Sequence, residues 1–380
     1  MANVQCRCPR RIPRTRKNRE HRNSGRYDRI GTRYSTGRLK DTNTMRRFLP
    51  LLLILFVILV YLGYEYFKVV KIQDPNLESA IRKELDLNPT EPILLRELVS
   101  LESLRAHHRY ITDLSGIENA KKLKKLDLSQ NEIHDITPIS KLRNLVELDI
   151  RKNNIHDIAL LSNLYKLEHL EIGYNRIADI TPLRKLTQLK RLALTNNELS
   201  DITPLTELTQ LTILWLLKND VRDITPLAEM KQLNDLNLEV NKVRDITPLS
   251  KLTELRRLLL GNNQISDIAP LTGLTNLRIL FLGRNQISDI RPLNQLEHLT
   301  FLRLSNNQIS DVNPLANLIQ LKELHVSNNQ ISDVTPLIDL AQLEKLNLKG
   351  NPIQDIEILI SRLQKQDSIG IDVVEAPHDR

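Results

Sequence analysis

A 380-residue chain with a formal net charge of +8 would ordinarily fold as two or three globular domains. The spacing of its Asn residues excludes that: from Asn131 to Asn351 an Asn returns every 22 residues, with no insertion or deletion. The positive charge is local, because the first 47 residues hold fifteen Lys/Arg against Glu20, Asp28 and Asp41. The rest of the chain is therefore slightly acidic, which argues against nucleic-acid binding by the repeats.

Residues 1–47 are Arg-rich without apolar periodicity, so the composition predicts a basic disordered tail. Met45-Arg46-Arg47 directly before an apolar run offers an alternative start at Met45, in which case the tail is an over-extension. Both cysteines, Cys6 and Cys8, lie here, so no disulfide staples the repeats. Phe48 to Tyr64 carries no charge and, at ~1.5 Å per residue, spans about 25 Å as a helix. With Tyr61, Tyr64, Tyr66 and Phe67 at its far side and no small-x-small cleavage pattern, residues 48–67 are expected to form a transmembrane signal anchor. The charge bias then places the amino terminus in the cytoplasm and the repeats outside it, in a single-pass membrane protein.

Asp74-Pro75-Asn76-Leu77 is a helix entry, with Leu77, Ala80, Ile81 and Leu85 on one face. Residues 74–100 are expected to cap the array, because a bare terminal coil would expose a row of Leu. Residues 101–356 form the array. In Leu258-Leu259-Leu260-Gly261-Asn262-Asn263, Leu258 and Leu260 face inward and Leu259 outward. The Asn must bond backbone at the turn, Ile265 and Ile268 fill the opposite side, and Asp267-Ile268-Ala269-Pro270 opens a short helical return with Asp as its cap. A fixed 22-residue period in an L-x-x-L-x-L-x-x-N-x-I frame predicts an α/β solenoid of leucine-rich repeats. Its parallel sheet would lie on the concave side and its 3₁₀ segments or turns on the convex side. Residues 357–380 are expected to supply a C-terminal cap and tail. The array shows no nucleophile elbow, no zinc-protease motif and no phosphate-binding loop, so neither catalysis, a cofactor nor a metal site is expected.

Function is then expected in the outward columns. Their first coils are charged, with Asp127, Asp149 and Glu171 prominent. The middle coils place Ile213, Trp215, Leu217, Leu259, Ile279, Phe281 and Phe301 on one face, with Asn237 and Arg303 beside them. An apolar patch rimmed by charge, with Trp and Arg, has the composition of a protein-binding hot spot. Two other readings use the same face: envelope glycan or peptidoglycan binding, with Trp215 and Phe281 as stacking platforms and Asn237 as a polar contact, or an intracellular scaffold of the phosphatase-regulator type. A passive envelope spacer is the reading in which the patch has no ligand.

The unit Leu-x-x-Leu-x-x-Leu-x-Leu-x-x-Asn-x-Ile-x-Asp-Ile-x-Pro-Leu, complete from Leu277 to Leu293, resembles the repeat of internalin-type bacterial leucine-rich-repeat proteins. The cap, Asp-Pro-Asn-Leu-Glu-Ser-Ala-Ile-Arg-Lys-Glu-Leu, is similar to the amino-terminal helix of bacterial members. The resemblance implies a curved right-handed solenoid that binds a protein partner on its concave sheet. The immunoglobulin-like domain and sortase signal that commonly follow internalin repeats are not expected in residues 357–380.

Overall fold

The structure is a computed structural model that describes residues 42–354 and 370–372, and the chain divides into two compact units, 1–59 and 60–380. The first 41 residues of the basic tail, and the C-terminal cap and tail apart from 370–372, lie outside the described residues. Thr42 to Arg47, expected in the tail, instead form the first turns of helix α1 (Thr42–Tyr66). Along α1 the side chains from Phe48 to Tyr61 are exposed.

Among the described residues no helix is long and apolar enough to cross a membrane. This corrects the transmembrane signal anchor expected over 48–67, and with it the single-pass topology with a cytoplasmic amino terminus and extracytoplasmic repeats. The physical shortfall is length. The charge-free run rises about 25 Å, against about 30 Å of hydrocarbon core. Arg46, Arg47 and Glu65 bound the run, and Pro50 inside it removes a backbone donor.

In the second unit, residues 74–100 hold α2 (Pro75–Glu84) and α3 (Leu95–Ser100). Asp74 caps α2: its Oδ1 accepts from the N–H of Asn76 at 2.8 Å and of Leu77 at 3.1 Å. Pro75 follows at a position whose N–H would have no helical partner anyway. Leu77, Ala80 and Ile81 are buried on the face that packs toward β1 (Ser103–Arg105). The second oxygen of Asp74 accepts from Thr112 N–H at 2.8 Å and Asp113 N–H at 3.3 Å, so one carboxylate ties the helix to the first coil. Burial alone would raise its pKa. The N–H groups of Thr112, Leu77, Asp113 and Asn76 outweigh burial and hold it below the ordinary carboxylate value.

Three-residue strands recur every 22 residues from β1 to β12 (Lys345–Asn347), and β13 (Gly370–Asp372) completes a 13-stranded parallel sheet in sequential order. Each strand buries its central Leu, from Leu104 to Leu346, and turns two flanking side chains outward. Opposite the sheet, each coil returns through a 3₁₀ segment such as Ala269–Leu271, whose Leu271 is buried. Leu and Ile columns from Ile72 to Leu348 form one continuous core. At ~1.5–3 kcal/mol for each large aliphatic side chain buried, that core is the main favourable term.

The Asn ladder sets the step. Asn241 Oδ1 accepts from Val221 N–H at 3.0 Å in the preceding coil. Its Nδ2 donates to Leu216 O at 2.9 Å in that same coil and to Leu238 O at 3.1 Å in its own. The same pattern runs from Asn131 to Asn351. Each amide thereby satisfies backbone groups that a turn would otherwise leave buried and unpaired. The residue just before each Asn sits in the left-handed region, with φ between 52° and 61° from Gln130 to Asn328.

The Asp column acts one residue earlier than a helix cap would. Asp267 Oδ1 accepts from Ala269 N–H at 2.8 Å, an Asx turn two residues long, and the 3₁₀ segment then starts at Ala269 with Pro270 second. Asp135 and Asp245 do the same for Thr137 and Thr247 at 2.7 and 2.8 Å. In both, the hydrogen bonds from that Thr hold the carboxyl below its usual pKa.

Asn241→Ala removes one acceptor and strands Val221 N–H, Leu216 O and Leu238 O. At ~1–3 kcal/mol for each buried group left unsatisfied, a loss of about 3 kcal/mol is expected in a urea unfolding midpoint. A loss below about 1 kcal/mol would mean that water replaces the amide and that the ladder is not the element that fixes the coil.

Candidate functional site

Successive strands pair in strict register, so Ile213, Asp235, Arg257, Ile279 and Phe301 lie side by side across the sheet, as do Trp215, Asn237, Leu259, Phe281 and Arg303. Neighbouring strands are about 4.8 Å apart, so a long side chain reaches one coil to either side. The strands involved run from β5 (Arg191–Ala193) through β6 (Ile213–Trp215), β7 (Asp235–Asn237), β8 (Arg257–Leu259), β9 (Ile279–Phe281) and β10 (Phe301–Arg303) to β11 (Glu323–His325).

Trp215 is clamped from both sides. The Arg191 guanidinium lies 4.2 Å from its ring centroid, and its Nε1 donates to Asp235 Oδ1 at 3.1 Å. Asp235 also takes Arg257 Nη1 at 3.0 Å, and Arg191 Nε donates to Glu171 at 2.5 Å. Farther along, Arg303 lies over Phe281 at 4.4 Å and Phe301 at 5.2 Å, and the two rings meet at 5.4 Å. Phe301 stacks on His325 at 5.9 Å.

The expected residues share one strip but differ in accessibility. Ile213, Trp215, Leu217, Ile279, Phe281 and Phe301 are half-buried, and Arg303 is exposed. Leu259, expected on the surface, is only 2 % exposed, and Asn237 only 8 %. Both lie in one column between the larger Trp215 and Phe281. Asn237 is further committed, since its Oδ1 accepts from Glu239 N–H at 2.9 Å. These two are corrected to the floor of the strip.

Arg191 and Asp235, which contact Trp215, and Glu239 were not among the expected residues. The available signal was lateral: residues 22 apart stand shoulder to shoulder, so an Arg or Asp one repeat from a Trp is its neighbour. A third outward column, Leu217, Glu239, Gly261, Gly283 and Ser305, thins to small residues and opens a groove of about 500 Å³. Glu239, Phe281, Arg303, Ser305 and His325 are among its walls.

The acidic column lies over β2 (Lys125–Asp127), β3 (Glu147–Asp149) and β4 (His169–Glu171). Burial pushes the Asp149 carboxyl up to about 6; the Arg151 N–H and guanidinium oppose this, while Asp127 and Glu171 add to it. Its folded pKa therefore lies above its unfolded value. The folded state binds the proton more tightly, so Asp149 should make stability fall as pH rises from about 4 to about 6, and stay level above. Asp149→Asn should flatten that segment of the thermal-midpoint profile. An unchanged slope would place the titration on another group.

Family models described as leucine-rich repeats in two copies match residues 143–207, 231–317 and 319–361, and a single-repeat model matches 119–136. No curated protein sequence matches the chain. Among solved structures, an internalin (inlF) from Listeria monocytogenes is 34 % identical over 82 % of this chain and 97 % of its own, with a TM-score of 0.72. The functional domain of InlJ from Listeria monocytogenes shares the fold, at 24 % identity over 81 % of this chain and 69 % of its own, with a TM-score of 0.68. The Leptospira interrogans leucine-rich-repeat protein LIC12759 aligns at 25 % identity over 72 % of this chain and 84 % of its own, with a TM-score of 0.53. The repeat fold is that of an interaction module, and with a 22-residue unit matched along most of its length this chain belongs to the leucine-rich-repeat family as an internalin-type protein.

Proposed function

We propose that the chain binds a protein partner on its sheet face, through the strip from Trp215 to Arg303. The observation that carries this reading is the clustering of half-buried Trp215, Phe281 and Phe301, with Ile213 and Ile279, on the outer side of strands whose inner side already supplies the core. These rings lie outside the buried core. Aromatics steadied by Arg, over a dry floor such as Leu259, are the composition that concentrates binding energy at protein interfaces.

A glycan reading fits the same strip less well. A sugar platform needs an open aromatic face, but the Arg191 guanidinium covers one face of Trp215 and Arg303 covers Phe281. The amide oxygen of Asn237, the polar contact of that reading, is already bonded to its own turn. A protein surface can pack against such edges and use the Arg groups as donors.

The test is capture of partners by the folded chain and by the double variant Trp215→Ala, Phe281→Ala. Hot-spot aromatics contribute ~2 kcal/mol or more each, so the pair should weaken a protein partner by over about a hundredfold. Circular dichroism should stay unchanged, because neither ring is in the core. Undiminished capture of every partner by the folded double variant would overturn the proposal, and loss confined to glycans would turn it to the second reading.

A further inference from the structure

Charges on the outward columns are almost all paired within the sheet. Lys125 meets Glu147 at 2.8 Å, Asp149 meets Arg151 at 3.1 Å, Asp235 meets Arg257 at 3.0 Å and Glu323 meets Lys345 at 2.9 Å. Glu171 takes Arg191. Among the described residues, Arg105 and Arg303 are the Arg of the two strand columns with no carboxylate within ion-pair distance, and of these two Arg303 lies over aromatic rings. Two rings hold its guanidinium instead of an anion, so it is fixed in place with its donors free. An Arg arranged in this way has less side-chain entropy to lose when it takes up a planar anion.

The space beside it is built rather than incidental. A Cβ at Gly261 would stand 3.0 Å from Glu239 Oε1, and one at Gly283 would stand 3.1 Å from Ser305 O. Side chains there would fill the groove. Its walls include Val240, 38 % exposed and held at φ 55°. Val is the one β-branched residue among the described left-handed positions before the ladder Asn residues, where other coils use Asn, Lys, Arg, Gln, Tyr or Gly. A β-branched residue strains that conformation, so an exposed Val there costs stability with no return from the core. Its isopropyl group does give the groove an apolar lining, as Phe281 does. The Ser327 hydroxyl donates to Ser305 Oγ at 2.9 Å, and Ser305 lines the groove.

On the reading that the sheet face binds a protein, we infer that the groove across β7–β11 receives a partner peptide segment presenting a carboxylate beside an aliphatic side chain. The carboxylate seats on Arg303, with the Ser305 hydroxyl as a second donor, and the aliphatic group lies between Val240 and Phe281. Five strands give a groove about 19 Å across, which suits an extended segment of about six residues. Arg284 lines the same groove and adds positive charge. Burial raises the Glu239 carboxyl above its ordinary pKa, against the pull of Arg257 and Arg303.

The experiment pans a displayed library of random heptapeptides on the full chain, then measures the selected peptides by fluorescence anisotropy on four proteins: wild type, Arg303→Gln, Val240→Asn and Trp215→Ala. The expected result is enrichment of Asp or Glu next to Leu, Ile or Val. Affinity should fall at least about tenfold in Arg303→Gln, the scale of one charge-assisted hydrogen-bond pair. Val240→Asn should weaken binding several-fold while its thermal midpoint holds or rises, because Asn tolerates positive φ; a merely structural role for Val240 would move the two together. Selected peptides without acidic enrichment, or bound equally by Arg303→Gln, overturn the inference. If those same peptides are lost in Trp215→Ala, the sheet-face reading survives while the groove assignment falls. Failure to select any peptide, or capture only of carboxylate-bearing glycans, overturns the peptide assignment as well.

Discussion

The amide of one Asn per coil is the constraint on which the molecule depends. Its oxygen takes an N–H from the preceding coil, and its nitrogen feeds carbonyls of both that coil and its own, as Asn263 does with Val243, Leu238 and Leu260. A one-residue insertion in any coil would put a different side chain at that point and leave these three backbone groups of two coils without partners. The penalty is local and severe, which explains why the 22-residue step runs from Asn131 to Asn351 without a slip. Leu burial supplies most of the stabilisation, but it does not discriminate finely between registers. The Asn does.

A fixed step turns a linear sequence into a surface grid. Residues 22 apart become lateral neighbours, so the strip is written along the chain as isolated residues in separate repeats. Arg191, Trp215, Asp235 and Arg257 span 67 residues of sequence yet form one connected run of ring stacking, hydrogen bond and ion pair. The side chains are oriented by each other while the backbone remains identical from coil to coil. Surface chemistry can therefore vary freely without disturbing the core, and the repeat fold is suited to recognition for that reason.

The same geometry accounts for what the sequence disclosed and what it withheld. The inward Leu columns, the Asn ladder and the Asp74 cap follow from periodicity and local turn chemistry, and they were legible residue by residue. Leu259 was misplaced because its accessibility depends on the larger side chains in its column, Trp215 and Phe281, three coils apart, and not on its own position in the repeat. The Asp column was assigned to turn geometry correctly, but its partner is the N–H two residues on, so the helical segment starts later than a capping pattern suggests. Residues 48–67 misled through composition: hydrophobicity was evident, whereas the length of the charge-free rise against a hydrocarbon core was marginal from the start. Glu239 and the glycines beside it drew no attention because a column of small residues has no signal of its own until its neighbours define a space.

That space is where the molecule departs from its own rule. Elsewhere the position before the Asn carries residues that tolerate or fit a left-handed backbone, and the third outward column can hold Arg151 or Leu217. Around β8 and β9 the chain instead combines a strained Val240 with Gly261 and Gly283, each of which forgoes favourable packing or conformational economy. Both shape one groove next to an Arg that has no internal anion. A repeat array has many equivalent coils from which such exceptions can be drawn, and here they fall within three consecutive strands, which is why the proposed peptide site is placed in this groove.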